Sequence, residues 1–525
     1  MSDIKKSTDI QHTISIAGGE FADAENVLST VISPNGQEIQ INFNDVDEAM
    51  KYADDAAGIE IPPQEEKKLL RKIDCALLPI IAGLMSCNLM DKTTSSYAAL
   101  MGLKTDLNMT AKDYTWVGSS FYLGYLVFQY PSTICLQKFP LSKALGTIVV
   151  LWGAILMLHA ATSNAAGFIA LRVILGAFES AMSPAYILLT SQWWKKEEQF
   201  MRSCIWVGIQ GLGTLLGAGI SYGLYTHRGV TGHAFESWRL LYIITGVITI
   251  VLGFISLIHV PDIPTKAWFL NSTEKKYVVA RIRNNQQGFG NHHLKMKQVK
   301  EAFSDVASYI LFFYGMSYAI PNGSFTNFGT ILLHQDFGFT SAQSLLMSFV
   351  GGGIDVIFPP LVALICGRFL GNRRLLAAII VNSIVFVGMC LLNFTHHKGS
   401  KLAGYFTFYM ATAVLACVAS VVSSNVAGSS KKTTVTTIYF IGYAVGNIIG
   451  PQTFTTAPYN GAKIAMLVSF AVGTGCLTSL YCIYMKRNNQ RDAHKLAMGD
   501  KYEVPENIEF TDLTDKENPE FRYSL

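Results

Sequence analysis

Long apolar runs separated by short polar segments make up the chain from residue 75 to residue 485. A helix that crosses a bilayer needs about 20 mostly apolar residues, and every run reaches that length. The pattern therefore predicts an all-α membrane protein with twelve transmembrane helices. Their expected positions are 75–95, 115–136, 144–164, 167–191, 203–225, 239–260, 307–330, 342–366, 375–394, 403–424, 434–454 and 464–485.

A polar central loop, 261–306, divides the predicted spans into two groups of six. The N-terminal half, 71–260, and the C-terminal half, 307–485, are similar in length, and each has a basic loop after its second span. Two such halves are a known layout of secondary transporters, whose substrate sites lie between the halves near the bilayer midplane. The organisation therefore indicates a carrier with soluble tails.

Both ends of the chain are polar. Residues 1–70 contain fourteen Asp and Glu against five Lys, with little apolar periodicity, and this predicts a disordered tail. After Pro62 and Pro63, the stretch QEEKKLLRKID predicts a short amphipathic helix on the membrane surface before the first span. The C-terminal tail, 486–525, is expected to be soluble and disordered.

Lys and Arg are unevenly distributed between the predicted loops. The short loops on the side of the two termini hold ten, and the central loop adds eight. The loops on the other side are longer in sum and hold seven. Because cytoplasmic loops carry the excess of positive charge, both tails and the central loop are expected to be cytosolic.

Composition narrows the function. Charged residues make up 15% of the chain and hydrophobic residues 50%, whereas soluble proteins have about 25% charged residues. We find no nucleic-acid-binding motif, no phosphate-binding loop of ATP-driven pumps and no catalytic cluster, so we expect neither nucleic-acid binding nor an enzyme. The nine cysteines have no paired spacing that indicates disulfides or a metal site.

The stretch 167–192 carries two ionisable residues inside an apolar run. Arg172 and Glu179 are seven residues apart, so on a helix they lie two turns apart on nearly the same face. Ionisable groups at bilayer depth usually face a bundle interior and carry function. Glu179 is therefore a candidate proton site, unless Arg172 pairs with it. The alternative is a fixed structural ion pair, in which Arg172 reaches the interface and Glu179 only neutralises it.

Further polar side chains lie within or at the ends of other predicted spans. The candidates for substrate binding or coupling are Asp91, Lys92, Gln210, Asn322, Asp355, Asn425, Asn447 and Gln452. Each amide is equally consistent with a helix–helix hydrogen bond, and Asp355 with a packed carboxylate. Since Arg172 and Lys92 are the basic residues placed near the cavity, the site favours a small anionic substrate.

Several stretches together carry a family resemblance. In the first half they are RKIDCALLP (71–79), SYAALMGLKTDL (96–107), LQKFPLSKALG (136–146) and LRVILGAFESAMSPAYILLTSQWW (171–194). In the second half they are IPNGSFTNFG (320–329), SSNVAGSSKKTT (423–434) and IGYAVGNIIGPQTF (441–454). The chain resembles the fungal anion:cation symporters of the major facilitator superfamily, in particular the allantoate-permease-like branch.

The resemblance implies a proton-coupled importer of small organic anions in the plasma membrane, with the proton as coupling ion. We expect a monomer without a further cofactor. It links Arg172 and Gly176 to the superfamily's arginine motif and Glu179 to an acidic position of the family. Family substrates include allantoate, ureidosuccinate, small peptides and carboxylate vitamins. The region MDK (90–92) and the GFGNHH of the central loop look most like members that take up sulfonates and inorganic sulfur anions.

Three alternatives share this fold. The first is a nutrient sensor that does not transport. The second is a carrier of vitamin carboxylates such as nicotinate or pantothenate. The third is a facilitator or exporter that moves its substrate without a proton.

Overall fold

The computed structural model describes residues 27–32, 38–42, 61–228, 236–283, 295–455, 458–498 and 512–525. Two short strands, β1 (Val27–Ile32) and β2 (Glu38–Asn42), pair antiparallel, with Ser29 opposite Ile41 and a bulge between Val27 and Ser29. The helices in chain order are α1 (Pro63–Leu100), α2 (Leu103–Asp106), α3 (Ala111–Lys138), α4 (Leu141–Leu158), α5 (Ala165–Glu179), α6 (Met182–Trp193), α7 (Lys196–Arg228), α8 (Ser237–His259), α9 (Ser272–Arg283), α10 (Met296–Ser304), α11 (Val306–Gln335), α12 (Ser341–Phe369), α13 (Arg374–Phe394), α14 (Lys398–Thr407), α15 (Ala411–Asn425), α16 (Ser429–Gln452) and α17 (Asn460–Met498).

All twelve predicted spans coincide with helical segments. Nine segments among the described residues are long and apolar enough to cross a bilayer. The other three predicted spans correspond to α3, α11 and α16, which are 28, 30 and 24 residues long. They fall short in apolar content because they carry many buried hydroxyl and amide side chains, as in the first half of α16. Twelve membrane crossings therefore remain a prediction.

The two halves meet mainly along four pairs of helices. The most extensive contacts are those of α7 with α12 and of α3 with α16, and α7 also packs against α15 and α1 against α11. Close contact of α7 with α12 requires glycine, because a Cβ at Gly211 would lie 2.4 Å from the carbonyl oxygen of Gly352. We call the end of the bundle that carries the start of α1 and residues 512–525 the terminal side, and the other end the distal side.

Two predicted spans are interrupted in the structure. The fourth, expected as one helix over 167–191, is divided into α5 and α6 by a turn at Ser180 and Ala181, immediately after Glu179. Pro184 has no N–H to donate to the carbonyl of Ser180, which explains the break. The tenth, expected over 403–424, consists of α14, a 3-10 turn at Phe408–Met410 and α15.

The expectation of a separate surface helix before the first span is wrong. Helix α1 begins at Pro63 and runs without a break for 38 residues through the first predicted span. Its first turn is held by Glu66, which accepts hydrogen bonds from Lys195 at 2.5 Å and Arg281 at 3.1 Å. The expected disorder of residues 1–70 is also wrong for β1 and β2, and the remainder of residues 1–60 lies outside the described residues.

The expectation of a disordered C-terminal tail is wrong for the parts that the structure describes. Helix α17 continues to Met498, and residues 512–525 pack against the terminal side of the second half. Asp515 lies 2.6 Å from the buried ammonium of Lys431. The side chain of Asn425 both donates to and accepts from the backbone of Ser524, at 2.8 and 2.7 Å. Ionic and backbone contacts thus fix a segment whose composition alone indicates disorder.

The central loop contains two helices that are anchored to different halves. Arg281 of α9 lies 2.5 Å from Glu198 of the first half. Glu301 of α10 lies 2.8 Å from Lys431 of α16 in the second half. Each half therefore holds one helix of the central loop.

Asp305, at the junction of α10 and α11, gives a prediction about stability. Burial alone would raise its pKa, but the hydrogen bond from Arg487 at 2.5 Å and the charges of Arg487, Lys431 and Lys516 lower it to about 2. A lowered pKa stabilises the folded state above the unfolded value near 3.9, and this contribution is lost as the pH falls from about 4 to 2.

We expect Asp305→Asn to lower the free energy of unfolding at pH 7 by about 2 kcal/mol, since one pKa unit corresponds to about 1.4 kcal/mol. Thermal unfolding in detergent measures this, with Asp492→Asn as the control because the Asp492–Arg522 pair is exposed. The difference between Asp305→Asn and wild type should shrink between pH 5 and pH 3. A difference that stays constant over that range would contradict the assignment.

Candidate functional site

A cavity lies between the two halves. Its wall consists mainly of tyrosine rings and of small hydroxyl and amide side chains from both halves. Lys92 of α1 and Asp355 of α12 are the charged side chains among the described residues that line it. A mostly uncharged wall with two opposite charges suits a small polar molecule that carries a charge of its own.

Hydrogen bonds connect the two halves on both sides of the cavity. On the distal side, the hydroxyls of Ser96 and Thr330 are 2.6 Å apart, and Tyr114 donates to the carbonyl of Asn327 at 3.1 Å. On the terminal side, Ser423 of α15 donates to the Gln199 side chain of α7 at 3.0 Å. These contacts hold the halves together above and below the cavity.

Lys92 is part of a compact cluster in the first half. Its ammonium lies 2.5 Å from Oε1 of Glu179 and donates to Oδ1 of Asn88 at 2.7 Å. Asn88, one turn earlier on α1, donates to the same Glu179 oxygen at 2.6 Å. Glu179 is buried and lies behind Lys92, whereas Lys92 and Asn88 are on the cavity wall. One face of the ammonium is thus held by protein and the other faces the cavity.

A second ion pair lies beside this cluster. The guanidinium of Arg172 is 3.7 Å from Oδ1 of Asp91 and donates to the Tyr242 hydroxyl at 3.0 Å. The other oxygen of Asp91 accepts from the indole of Trp152 at 2.8 Å. Both charges are buried and neither lines the main cavity.

The alternative of a fixed ion pair between Arg172 and Glu179 is therefore wrong. A separation of seven residues is about 10 Å along a helix, which is too far for direct contact. Each residue instead meets an opposite charge on α1, where Asp91 and Lys92 are adjacent in sequence. The two ion pairs tie α1 to α5.

Helix α5 reaches this position through a close glycine contact with α3. A Cβ at Gly176 would lie 1.8 Å from the carbonyl oxygen of Phe121, and one at Gly124 would lie 1.8 Å from that of Val173. Backbone atoms on both sides leave no room for a methyl group. The spacing of these helices sets the position of Glu179, three residues after Gly176.

We expect Gly176→Ala to lower uptake at least tenfold or to prevent folding, because a clash with a backbone oxygen forces the helices apart. Gly353→Ala is the matched control, since a Cβ there would meet nothing within 4 Å. Size-exclusion profiles of fluorescent fusions report folding, and uptake by the same cells reports function. Wild-type behaviour of Gly176→Ala in both assays would contradict this description.

Asp355 is the charged group of the second half in the cavity. It accepts a hydrogen bond from Thr412 at 2.5 Å and has no ion pair within the described part of the chain. It is 3% exposed, and its side chain lies on the wall beside Tyr409 and Thr412. A carboxylate in this setting is open to a hydrogen-bond donor from the cavity.

The amide candidates separate into two groups. Asn322 and Gln210 line the cavity, and Asn322 donates to the Tyr443 hydroxyl at 2.9 Å and to Oδ1 of Asn447 at 3.0 Å. Asn447 is fully buried behind it. The placement of the other two near the cavity is wrong: Asn425 contacts Ser524 on the terminal side, and Gln452 donates to Ser119 at 2.9 Å in the interface between the halves.

Several cavity residues were not predicted from the sequence. Asn88 has a partial signal, because it precedes Lys92 by one helical turn and therefore lies on the same face. Nothing in the sequence singled out the tyrosines, because aromatic residues are common in membrane helices, and nothing singled out Thr412. The unpredicted residues that matter most are Asn88, Tyr125, Tyr409, Thr412 and Tyr443.

Comparisons with known proteins agree with this architecture. A family model described as Major Facilitator Superfamily matches residues 81–451. The allantoate permease of Saccharomyces cerevisiae is 43% identical over 520 residues, which are 96% of this chain and 95% of the permease. The thiamine pathway transporter of the same yeast is 30% identical over 520 residues, 96% of each chain.

Among solved structures, a proton:xylose symporter of the major facilitator superfamily has the same fold, with a TM-score of 0.60 and 14% identity. The similarity covers 79% of this chain and 96% of the symporter. The matching relatives are transporters and not enzymes. This chain thus belongs to the Major Facilitator Superfamily and is an allantoate-permease-like transporter of the kind found in fungi.

Proposed function

We propose that this protein is a secondary active transporter that imports a small organic anion together with a proton. The observation that carries the proposal is the position of Lys92. Its ammonium lies between the cavity and the buried carboxylate of Glu179, 2.5 Å away. The same cation is therefore within reach of two anions, one from the protein and one from the substrate.

Competition for Lys92 provides a physical basis for coupling. While Glu179 is ionised, it neutralises Lys92, and a substrate anion gains little from approaching an ion pair. When Glu179 takes up a proton, it remains hydrogen-bonded to Asn88 but releases the charge of Lys92. The anion then binds the freed ammonium through a charge-assisted hydrogen bond. Substrate and proton thus favour each other's binding, as symport requires.

Arg172 and Asp91 have a different role in this proposal. They neutralise each other away from the main cavity, and each has one further hydrogen bond, Arg172 to the Tyr242 hydroxyl and Asp91 from the Trp152 indole. A buried pair of this kind fixes α1 against its neighbours without contacting the substrate. We therefore assign both residues to positioning Lys92.

The charge pattern of the cavity suggests the substrate class. Lys92 attracts an anionic group, and Asp355 attracts a hydrogen-bond donor. Sulfate and nicotinate offer no N–H group for Asp355, whereas ureido acids, dipeptides and aminosulfonates such as taurine do. We propose a small anion that also carries N–H groups, which is consistent with the allantoate permease among the relatives.

Asp355→Asn tests this selectivity. We expect the affinity for allantoate to fall about 10- to 100-fold, because a hydrogen bond to a charged group contributes about 1.5–3 kcal/mol. Nicotinate and sulfate should inhibit allantoate uptake more strongly in the variant than in wild type, because the negative charge of Asp355 no longer repels them. Competition of labelled allantoate uptake measures this, with Asp492→Asn as the control. An unchanged order of competitors would contradict a role of Asp355 in selectivity.

We further propose that the protein acts as a monomer in the plasma membrane, with the terminal side in the cytosol. The excess of Lys and Arg in loops on the side of the termini supports this orientation.

The test is uptake of labelled compounds by yeast that lacks the endogenous permeases. The panel is allantoate, a dipeptide, taurine, sulfate and nicotinate, each at pH 5 and pH 7. We expect saturable uptake of an N–H-bearing anion that is faster at pH 5 and abolished by a protonophore. Uptake that ignores the proton gradient would indicate a facilitator, and no uptake of any compound would favour the sensor.

A further inference from the structure

Glu179 is surrounded by buried polar atoms that lack hydrogen-bond partners. Its Oε1 is held by Lys92 and Asn88, but its Oε2 has no partner in the described structure. The hydroxyls of Tyr122, Tyr125 and Tyr186 are also buried and without partners there. All three lie within electrostatic range of the Glu179 carboxylate.

The same feature continues toward the terminal side along α3. Gln129 follows Tyr125 by one turn and is fully buried, and neither its amide oxygen nor its amide nitrogen has a partner among the described residues. Tyr122, Tyr125 and Gln129 have a spacing of three and four residues, which places them on one face of α3. Tyr186 on α6 follows Glu179 by seven residues, about 10 Å further toward the terminal side.

Buried polar groups in proteins are nearly always hydrogen-bonded, either to protein or to ordered water. Five unsatisfied groups in one region form a polar environment with several partners for each water molecule, as buried water requires. Tyr125 also lines the main cavity, so one of the five groups borders space that water can occupy.

We propose that Tyr125, Gln129 and Tyr186 line a hydrated path that carries the proton of Glu179 toward the terminal side. This inference rests on the proposed proton coupling and adds the route by which the proton leaves. Gln129 and Tyr186 lie outside the cavity wall, so they act as positioning residues for the water and do not contact the substrate.

The transfer balances at every step. Protonated Glu179 gives its proton to a water oxygen at Oε2 and returns to the carboxylate. Each water or hydroxyl accepts a proton on its oxygen and passes on the one it held, so it is unchanged at the end. The restored Glu179 carboxylate pairs with Lys92 again and displaces the substrate anion.

The titratable groups near Glu179, Lys92 and Tyr186 lie on three helices of the first half and on one helix of the second half. They are Lys92, Asp91 and Cys87 on α1, Tyr122 and Tyr125 on α3, Tyr186 on α6 and, facing Lys92 from the second half, Tyr443 on α16.

The experiment uses the full chain in liposomes with allantoate as the probe. The variants are Gln129→Leu and Tyr186→Phe, which keep the approximate shape and remove the polar atoms. Tyr314→Phe is the matched control, because Tyr314 also has a buried hydroxyl without a partner but lies in the second half, on α11. Two readouts are compared: accumulation driven by a pH gradient, and counterflow at equal pH, which needs no net proton movement.

We expect both variants to lower gradient-driven accumulation at least tenfold while counterflow stays within twofold of wild type. The control should match wild type in both assays. Accumulation within twofold of wild type in both variants would overturn the path, and so would a parallel loss of both readouts, which indicates a structural role. If wild type itself shows counterflow but no response to the gradient, the proposed proton coupling fails and the path with it.

Discussion

Exchange of Glu179 for glutamine will uncouple transport from the proton. Glutamine resembles protonated glutamate in shape and charge and still accepts the hydrogen bond from Asn88. It leaves Lys92 permanently available to the substrate anion. We expect uptake by Glu179→Gln to be equal at pH 5 and pH 7, and accumulation above the external concentration to be lost. Counterflow should continue, because binding no longer requires a proton.

The measurement is labelled allantoate flux in liposomes under a pH gradient and in counterflow. The control removes a carboxylate elsewhere in the chain, and Asp492→Asn does so at an exposed position of α17. A Glu179→Gln variant that still accumulates substrate at pH 5 would place the coupling group elsewhere, with Asp355 as the next candidate.

Exchange of Lys92 for methionine will abolish anion binding. Truncation of one partner of a buried, hydrogen-bonded charge pair costs about 2–5 kcal/mol, which corresponds to a loss of affinity of at least about 30-fold. The variant also leaves Glu179 as a buried charge without a cation, which costs about 3–5 kcal/mol of stability. Loss of uptake alone would therefore not separate binding from folding.

The double variant Lys92→Met with Glu179→Gln separates the two effects. It removes both charges, so we expect thermal stability within about 1 kcal/mol of wild type, since neutral replacements of a buried pair are often well tolerated. Uptake should remain absent. Recovery of uptake together with stability would show that Lys92 supports the fold and does not bind the anion.

The apolar runs allowed the helical segments to be predicted because their composition reflects the lipid that surrounds them. Apolar composition does not show where the fourth and tenth predicted spans are broken. Pro184 was visible in the sequence, yet prolines occur within unbroken membrane helices, as Pro79 does in α1. Only the packing decides whether a missing N–H ends the helix, so the turn after Glu179 could not be predicted from Pro184 alone.

The site residues were found by their charge, but their partners were not. Arg172 and Glu179 share a helix, and a single sequence offers only partners on that helix. Their partners in the structure, Asp91 and Lys92, lie about 80 residues earlier in α1 and come near only when the helices pack. Asn425 and Gln452 were misplaced for the same reason, since their depth in the bundle depends on tertiary packing.

The docked C-terminal segment bears on how the protein is handled in the laboratory. The backbone of Ser524 is hydrogen-bonded to the side chain of Asn425. An affinity tag or fluorescent protein joined directly to Leu525 begins beside the turn between α15 and α16, where the halves meet on the terminal side. A fusion at the N-terminus, or a flexible linker after Leu525, leaves those contacts intact and is the better design for purification and imaging.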